Sequence, residues 1–161
     1  MYNEEGDIRF YLQKAIELSR TGMDEGIGGP FGCVIVKEGI VVAEGCNRVT
    51  FDQDPTAHAE VVAIRKACRA LGHFLLTDCL IFCSCEPCPM CLGAIYWARP
   101  RAVYYANTAH DAAAAGFDDA FIYKEILLEG MDRSIPFTHV PVPGAVEVFD
   151  AWREKGDKNL Y

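Results

Sequence analysis

Apolar Ile8, Tyr11, Leu12, Ala15 and Ile16 recur at helical spacing and stop at the glycine-rich stretch GMDEGIGGP, which predicts an amphipathic first helix over residues 7–20. The pattern then changes period. In FGCVIVKEGIVVAEGC two β-branched runs flank KEG, as in an antiparallel hairpin with a short turn, and Asn47 lies just past its second strand. Asp54 before Pro55 makes an N-cap and first-position pair, followed by Val61, Val62, Ile64, Ala67, Cys68 and Leu71 on one stripe; a second helix is expected over 55–70. CLIFCS reads as a buried strand, Pro89 opens a helix that ends at Arg99 before Pro100, and RAVYYA is the next strand. Beyond a short alanine run, a helix is expected from about 118 to 128, a further strand in FTHVPVP against the resistance of Pro141 and Pro143, and a terminal helix in AVEVFDAWREKG. A helix, a hairpin and then alternating helices and strands imply an α/β fold, a three-layer α/β/α sandwich around a mixed five-stranded sheet.

The 161 residues fit one domain, residues 1–161, and a 51% hydrophobic content suffices for a sizeable core. No apolar run approaches membrane-spanning length, and MYNEEGDIRF lacks a basic flank and an apolar core, so a cytoplasmic protein with no membrane partner is expected. In a reducing compartment the eight cysteines read as thiols or metal ligands rather than disulfides. The formal charge of −8 repels phosphate backbones, which argues against a nucleic-acid partner. The nearest basic cluster, RKACR at 65–69, reads as the solvated face of a helix.

Half of those cysteines fall in FCSCEPCPMC, residues 82–91. Cys88 and Cys91 stand two residues apart at a helix start, where free N–H groups and the helix dipole favour thiolates. Such a pair can chelate, serve as a redox Cys-x-x-Cys, fill space as small hydrophobes, or join Cys83 and Cys85 in a closed four-thiolate site. Thirty residues upstream, TAHAE supplies His58 and Glu60, and together the segments match the H-x-E and P-C-x-x-C signature of zinc deaminases. His58, Cys88 and Cys91 would hold one Zn²⁺ per subunit and leave its fourth position open to water. Zinc lowers the pKa of such a water toward about 7. Glu60, two residues along a helix and so rotated by about 200°, would stand beside the ion and carry protons.

On GGPFG, DPTAHAEV, SCEPCPMCLGAIYWARP, GFDD and a C-terminal tyrosine, the chain resembles the cytidine-deaminase-like superfamily and, within it, the small bacterial guanine deaminases. The resemblance implies a cytidine deaminase-like fold and hydrolysis of a small-molecule nucleobase, guanine, to xanthine and ammonia. It implies that Asn47 hydrogen-bonds the purine, that Phe31 walls the base pocket, and that backbone groups near Ala59 and Cys88 complete the cradle. Asp119 is implied as a second proton carrier, with Asp118 as the fallback. Tyr161 would reach over the pocket from a C-terminal lid, about residues 131–161, exchanged between the subunits of a homodimer. Guanosine, cytosine or another aminated heterocycle remain alternatives, as does a tRNA adenosine, because such deaminases carry similar cores. EGMDRSIPFTHVPVPGAVEV shows no motif that fixes substrate size.

Overall fold

Alternate residues of the central strands face two different cores. The chain, known here from a computed structural model, is described over residues 4–160, with side chains described from residue 6. Strands β1 (Gly32–Lys37) and β2 (Ile40–Cys46) form the expected hairpin, and its two turn residues, Glu38 and Gly39, both have positive φ, 50° and 78°. That is the turn whose twist matches a β-hairpin. Strands β3 (Cys79–Cys85) and β4 (Ala102–Asn107) complete a sheet of order β2-β1-β3-β4. β1 is antiparallel to β2 and to β3, and β3 is parallel to β4.

Cys33, Ile35, Cys79, Ile81 and Cys83 point to one side, where they pack on Ala59, Ala63 and Ala67 of α3 (Ala59–Leu71) and on Ile95 and Ala98 of α4 (Pro89–Ala98). Val34, Val36 and Phe82 point to the other, against Tyr11 and Ala15 of α1 (Glu4–Asp24). One helix below and two above make the three-layer sandwich, its cores built by the period-two alternation of the strands. α3 lies directly on β2 because position 45 is glycine: a Cβ there would sit 2.4 Å from Ala59 O and 2.9 Å from Ala63 N.

Three expectations change. The sheet has four strands among the described residues rather than five; residues 137–143 form no strand, and Pro141 and Pro143 remove two of the N–H donors a ladder there would use. The second helix starts at Ala59, not at 55, because the Asp54 carboxylate accepts from the Thr56 backbone N–H (2.8 Å) and hydroxyl (2.7 Å) and closes a turn around Pro55. A short helix α2 (Val49–Asp52) precedes that turn. The alanine run forms its own helix, α5 (Ala109–Ala114), started by a capping box between Thr108 and Asp111, and the helix expected at 118–128 is α6 (Ala120–Ile126).

The chain divides into two compact units, residues 1–119 and 120–161. The first holds the sheet. In the second, α6 is followed by a 3₁₀ turn (Gly130–Asp132) and α7 (Glu147–Glu154). Here Glu125 Oε2 accepts from the Ser134 N–H (2.8 Å) and hydroxyl (2.9 Å), and the Arg133 guanidinium lies 4.9 Å from the Phe137 ring centroid. Among the described residues no helix is long and apolar enough to cross a membrane.

Candidate active site

Two helix starts meet above the sheet and bring three donor atoms together. His58 is the residue before α3, with extended backbone (φ −69°, ψ 155°), and its ring makes no capping hydrogen bond. Cys88 stands in the same relation to α4 (φ −64°, ψ 168°), with Pro89 opening that helix and Cys91 one turn further in. His58 Nδ1 lies 3.4 Å from Cys88 Sγ and 3.5 Å from Cys91 Sγ, and the three ligand atoms all lie within 4.8 Å of one another. Tetrahedral zinc with ordinary Zn–S and Zn–N bonds separates nitrogen from sulfur by about 3.6 Å, so this donor set fits zinc. The triad is the one such group found among the described residues.

The neighbouring cysteines are engaged elsewhere. Cys83 is the cross-strand partner of Cys33, and that contact together with burial raises its pKa well above the usual thiol range. The Cys85 thiol donates to Thr108 O at 3.5 Å, and burial pushes its pKa up to about 11. A closed four-thiolate site therefore does not form.

Cys88 is poised as a thiolate. Hydrogen bonds from Cys91 and from His58 bring its pKa down to about 4 against the opposing effect of burial, while the same contact with Cys88 raises that of Cys91. The hydrogen bond to Cys88 raises the pKa of the imidazole. Glu60 is 7% exposed, and its Oε2 accepts from Cys91 Sγ at 3.3 Å; burial raises its pKa, with the nearby Cys88 charge adding to the effect. Its place beside the triad has a different origin from the one expected. His58 is outside the helix and Glu60 in its first turn, so rotation along a shared helix does not separate them.

Asn47 and Phe31, the residues expected to contact a base, are neighbours in the first unit. The Asn47 backbone N–H donates to Phe31 O at 3.0 Å. The side-chain oxygen of Asn47, which is 7% exposed, accepts from the N–H groups of Gly29 and Val49, each at 3.2 Å. Two backbone donors on one atom settle the orientation of the amide. The chain can pass so close only because residue 28 is glycine: a Cβ would lie 2.4 Å from Asn47 O. Phe31 meets Phe117 edge to face, with centroids 4.9 Å apart at 88°. Ala59 is fully buried as the first residue of α3, so its N–H has no acceptor within the helix.

Asp119 is half-buried and Asp118 exposed. Burial raises the pKa of Asp119, and the neighbouring Cys88 charge raises it further. Tyr161 lies outside the described residues. Phe117, Gly28 and Glu86 lie within GFDD, GGPFG and SCEPCPMC, but the reading of the sequence gave them no role. Repeated glycine in GIGG signals a close backbone approach without telling what approaches; nothing near Glu86 in the chain marks its partner, Ala109, 23 residues on.

Residues 6–107 match the model of the cytidine and deoxycytidylate deaminase zinc-binding region. The chain is 58% identical over 151 residues to the guanine deaminase of Bacillus subtilis (strain 168), covering 94% of this chain and 97% of that protein. An X-ray structure of guanine deaminase from Bacillus subtilis superposes with a TM-score of 0.93 at 55% identity, covering 100% of this chain and 99% of that one. A tRNA-specific adenosine deaminase of Aquifex aeolicus (strain VF5) is 31% identical, covering 94% of this chain and 97% of that protein.

Proposed function

Since this chain belongs to the cytidine and deoxycytidylate deaminase zinc-binding family, we propose that it hydrolyses guanine to xanthine and ammonia at one zinc ion per subunit. One observation carries the reading: His58, Cys88 and Cys91 converge with the spacing of three zinc ligands while a buried carboxylate, Glu60, stands 3.3 Å from Cys91. The 58% identity to a guanine deaminase chooses the base.

His58, Cys88 and Cys91 would hold the zinc, which when bound would supply the Lewis acidity that lowers the pKa of a water from 15.7 toward about 7. Glu60 takes the proton that water gives up and passes it to the ring nitrogen next to C2. A C–O bond forms at C2; Glu60, with Asp119, then moves the one remaining proton of the new C2 hydroxyl to the exocyclic amine, and the C2–N bond breaks to release ammonia as the C2 carbonyl of xanthine forms. Burial suits Glu60 to this task, because bulk solvent does not compete for the proton.

Asn47 orients the base. Its carbonyl oxygen is taken by two backbone N–H groups, which leaves its NH₂ as the group offered to a ligand, and a guanine presents acceptors at its carbonyl oxygen and ring nitrogens. Phe31, braced by Phe117, supplies an apolar wall, and the backbone N–H of Ala59 a further donor. We read residues from about 131 to Tyr161 as a lid exchanged between two copies in a homodimer. The exposed Ile135, Phe137, Val148 and Phe149 support this, since so many large apolar side chains left in solvent call for a partner. We place the protein in the cytoplasm, where thiols such as Cys88 and Cys91 stay reduced; fractionation checks this.

A second reading, deamination of adenosine in tRNA, has the 31% identical relative in its favour and the net charge of −8 against it. Ammonia release from guanine, guanosine, cytosine, cytidine, adenine and a tRNA anticodon stem-loop separates the candidates. Guanine is expected to be turned over fastest; an inert guanine beside another active substrate would overturn the choice of base.

A further inference from the structure

β3 and β4 end in register, Cys85 opposite Asn107, so the loop carrying Cys88 and the chain entering α5 leave the sheet side by side. Four hydrogen bonds stitch them. Asn107 Nδ2 donates to Ser84 O (3.0 Å), the Glu86 N–H to Asn107 O (2.8 Å), and the Cys85 thiol to Thr108 O (3.5 Å). The fourth has a side-chain acceptor: Glu86 Oε2 receives the N–H of Ala109, the first residue of α5, at 3.0 Å. α5 does not need this bond to begin, because Thr108 and Asp111 already close a capping box there. The contact instead spans 23 residues and joins two segments with different duties. Glu86 stands two residues before Cys88. Ala109 leads through α5 to Phe117, which meets Phe31, and two residues further to Asp119.

We propose that Glu86 is a positioning residue: its carboxylate clamps the start of α5 to the Cys88 loop and so sets where Phe117 and Asp119 stand relative to the reacting base. The inference rests on the deaminase reading and assigns Glu86 no contact with substrate or metal. The clamp needs an acceptor oxygen, not a charge, so Glu86→Gln keeps it and Glu86→Ala removes it.

Both variants, with zinc loaded, are to be compared with the unaltered chain for kcat and KM on guanine, zinc content, and amide hydrogen exchange at Ala109. Glu86→Ala is expected to keep one zinc per chain, to lose kcat by about 10- to 100-fold with KM changed less than about threefold, as for a misplaced group, and to exchange the Ala109 proton faster. Glu86→Gln is expected to recover to within about threefold of the unaltered chain in kcat and in exchange. Because Glu86 acts through the arm bearing Asp119, adding Glu86→Ala to Asp119→Asn should cost far less than it costs alone. Full kcat in Glu86→Ala, zinc loss in that variant, a Glu86→Gln as slow as Glu86→Ala, or additive effects with Asp119→Asn would each overturn the proposal. If the unaltered chain proves inert on guanine, the functional reading fails on its own account. Exchange at Ala109 still decides the clamp, and an unchanged rate in Glu86→Ala overturns it.

Discussion

Nδ1 of His58 reaches both thiols because His58 stops short of α3 with its ring uncommitted. Cys88 and Cys91 converge on His58 and are proposed as ligands, while Cys83 and Cys85, equally close in the chain, are held by Cys33 and Thr108. Cys88→Ser and Cys91→Ser are therefore expected to lose most of their zinc, and Cys83→Ser and Cys85→Ser to keep about one ion per chain, by metal analysis of the purified proteins. A Cys85→Ser protein without zinc would revive the four-thiolate site. The triad and Glu60 were legible in the chain because metal chemistry restricts both residue type and spacing. The orientation of Asn47 was not, since it depends on N–H groups of Gly29 and Val49 that only the folded backbone brings to one oxygen.

At the scale of elements, the depth at which α3 sits on the sheet fixes where His58 and Glu60 stand. Gly45 permits that depth, and a methyl group there would run into the backbone of the first turn of α3 at Ala59 and Ala63. Gly45→Ala is expected to cost about 1–3 kcal/mol in denaturant unfolding, the usual penalty of overpacking, and to weaken zinc retention through the displaced helix start. An unchanged midpoint with full zinc content would show that the helix can shift at no cost. The hairpin and α1 were legible because their apolar periods agree with their turn residues, and α4 because Pro89 and Pro100 bracket it. The start of α3 was misplaced by four residues because Asp54, a good cap, spends its carboxylate on Thr56. The fifth strand was read from β-branched residues in FTHVPVP, whose two prolines weigh more than propensity in an irregular segment.

For the whole molecule, the charge of −8 and the exposed apolar side chains of the C-terminal unit point in different directions, away from phosphate polymers and toward another protein surface. On the reading of residues 131–161 as an exchanged lid, their removal is expected to convert a dimer to a monomer in size-exclusion chromatography with light scattering. It should also reduce turnover of guanine by at least about tenfold, through loss of the cover that excludes water. A truncated chain that stays dimeric and active would leave the segment without that role. The central claim is narrower: a three-ligand zinc site serves a carboxylate that moves protons. Zinc content and ammonia release from guanine, measured on one preparation of Glu60→Gln, test it most directly. The account expects about one zinc per chain with turnover lowered by roughly 10²- to 10⁴-fold; turnover equal to that of the unaltered protein would contradict it.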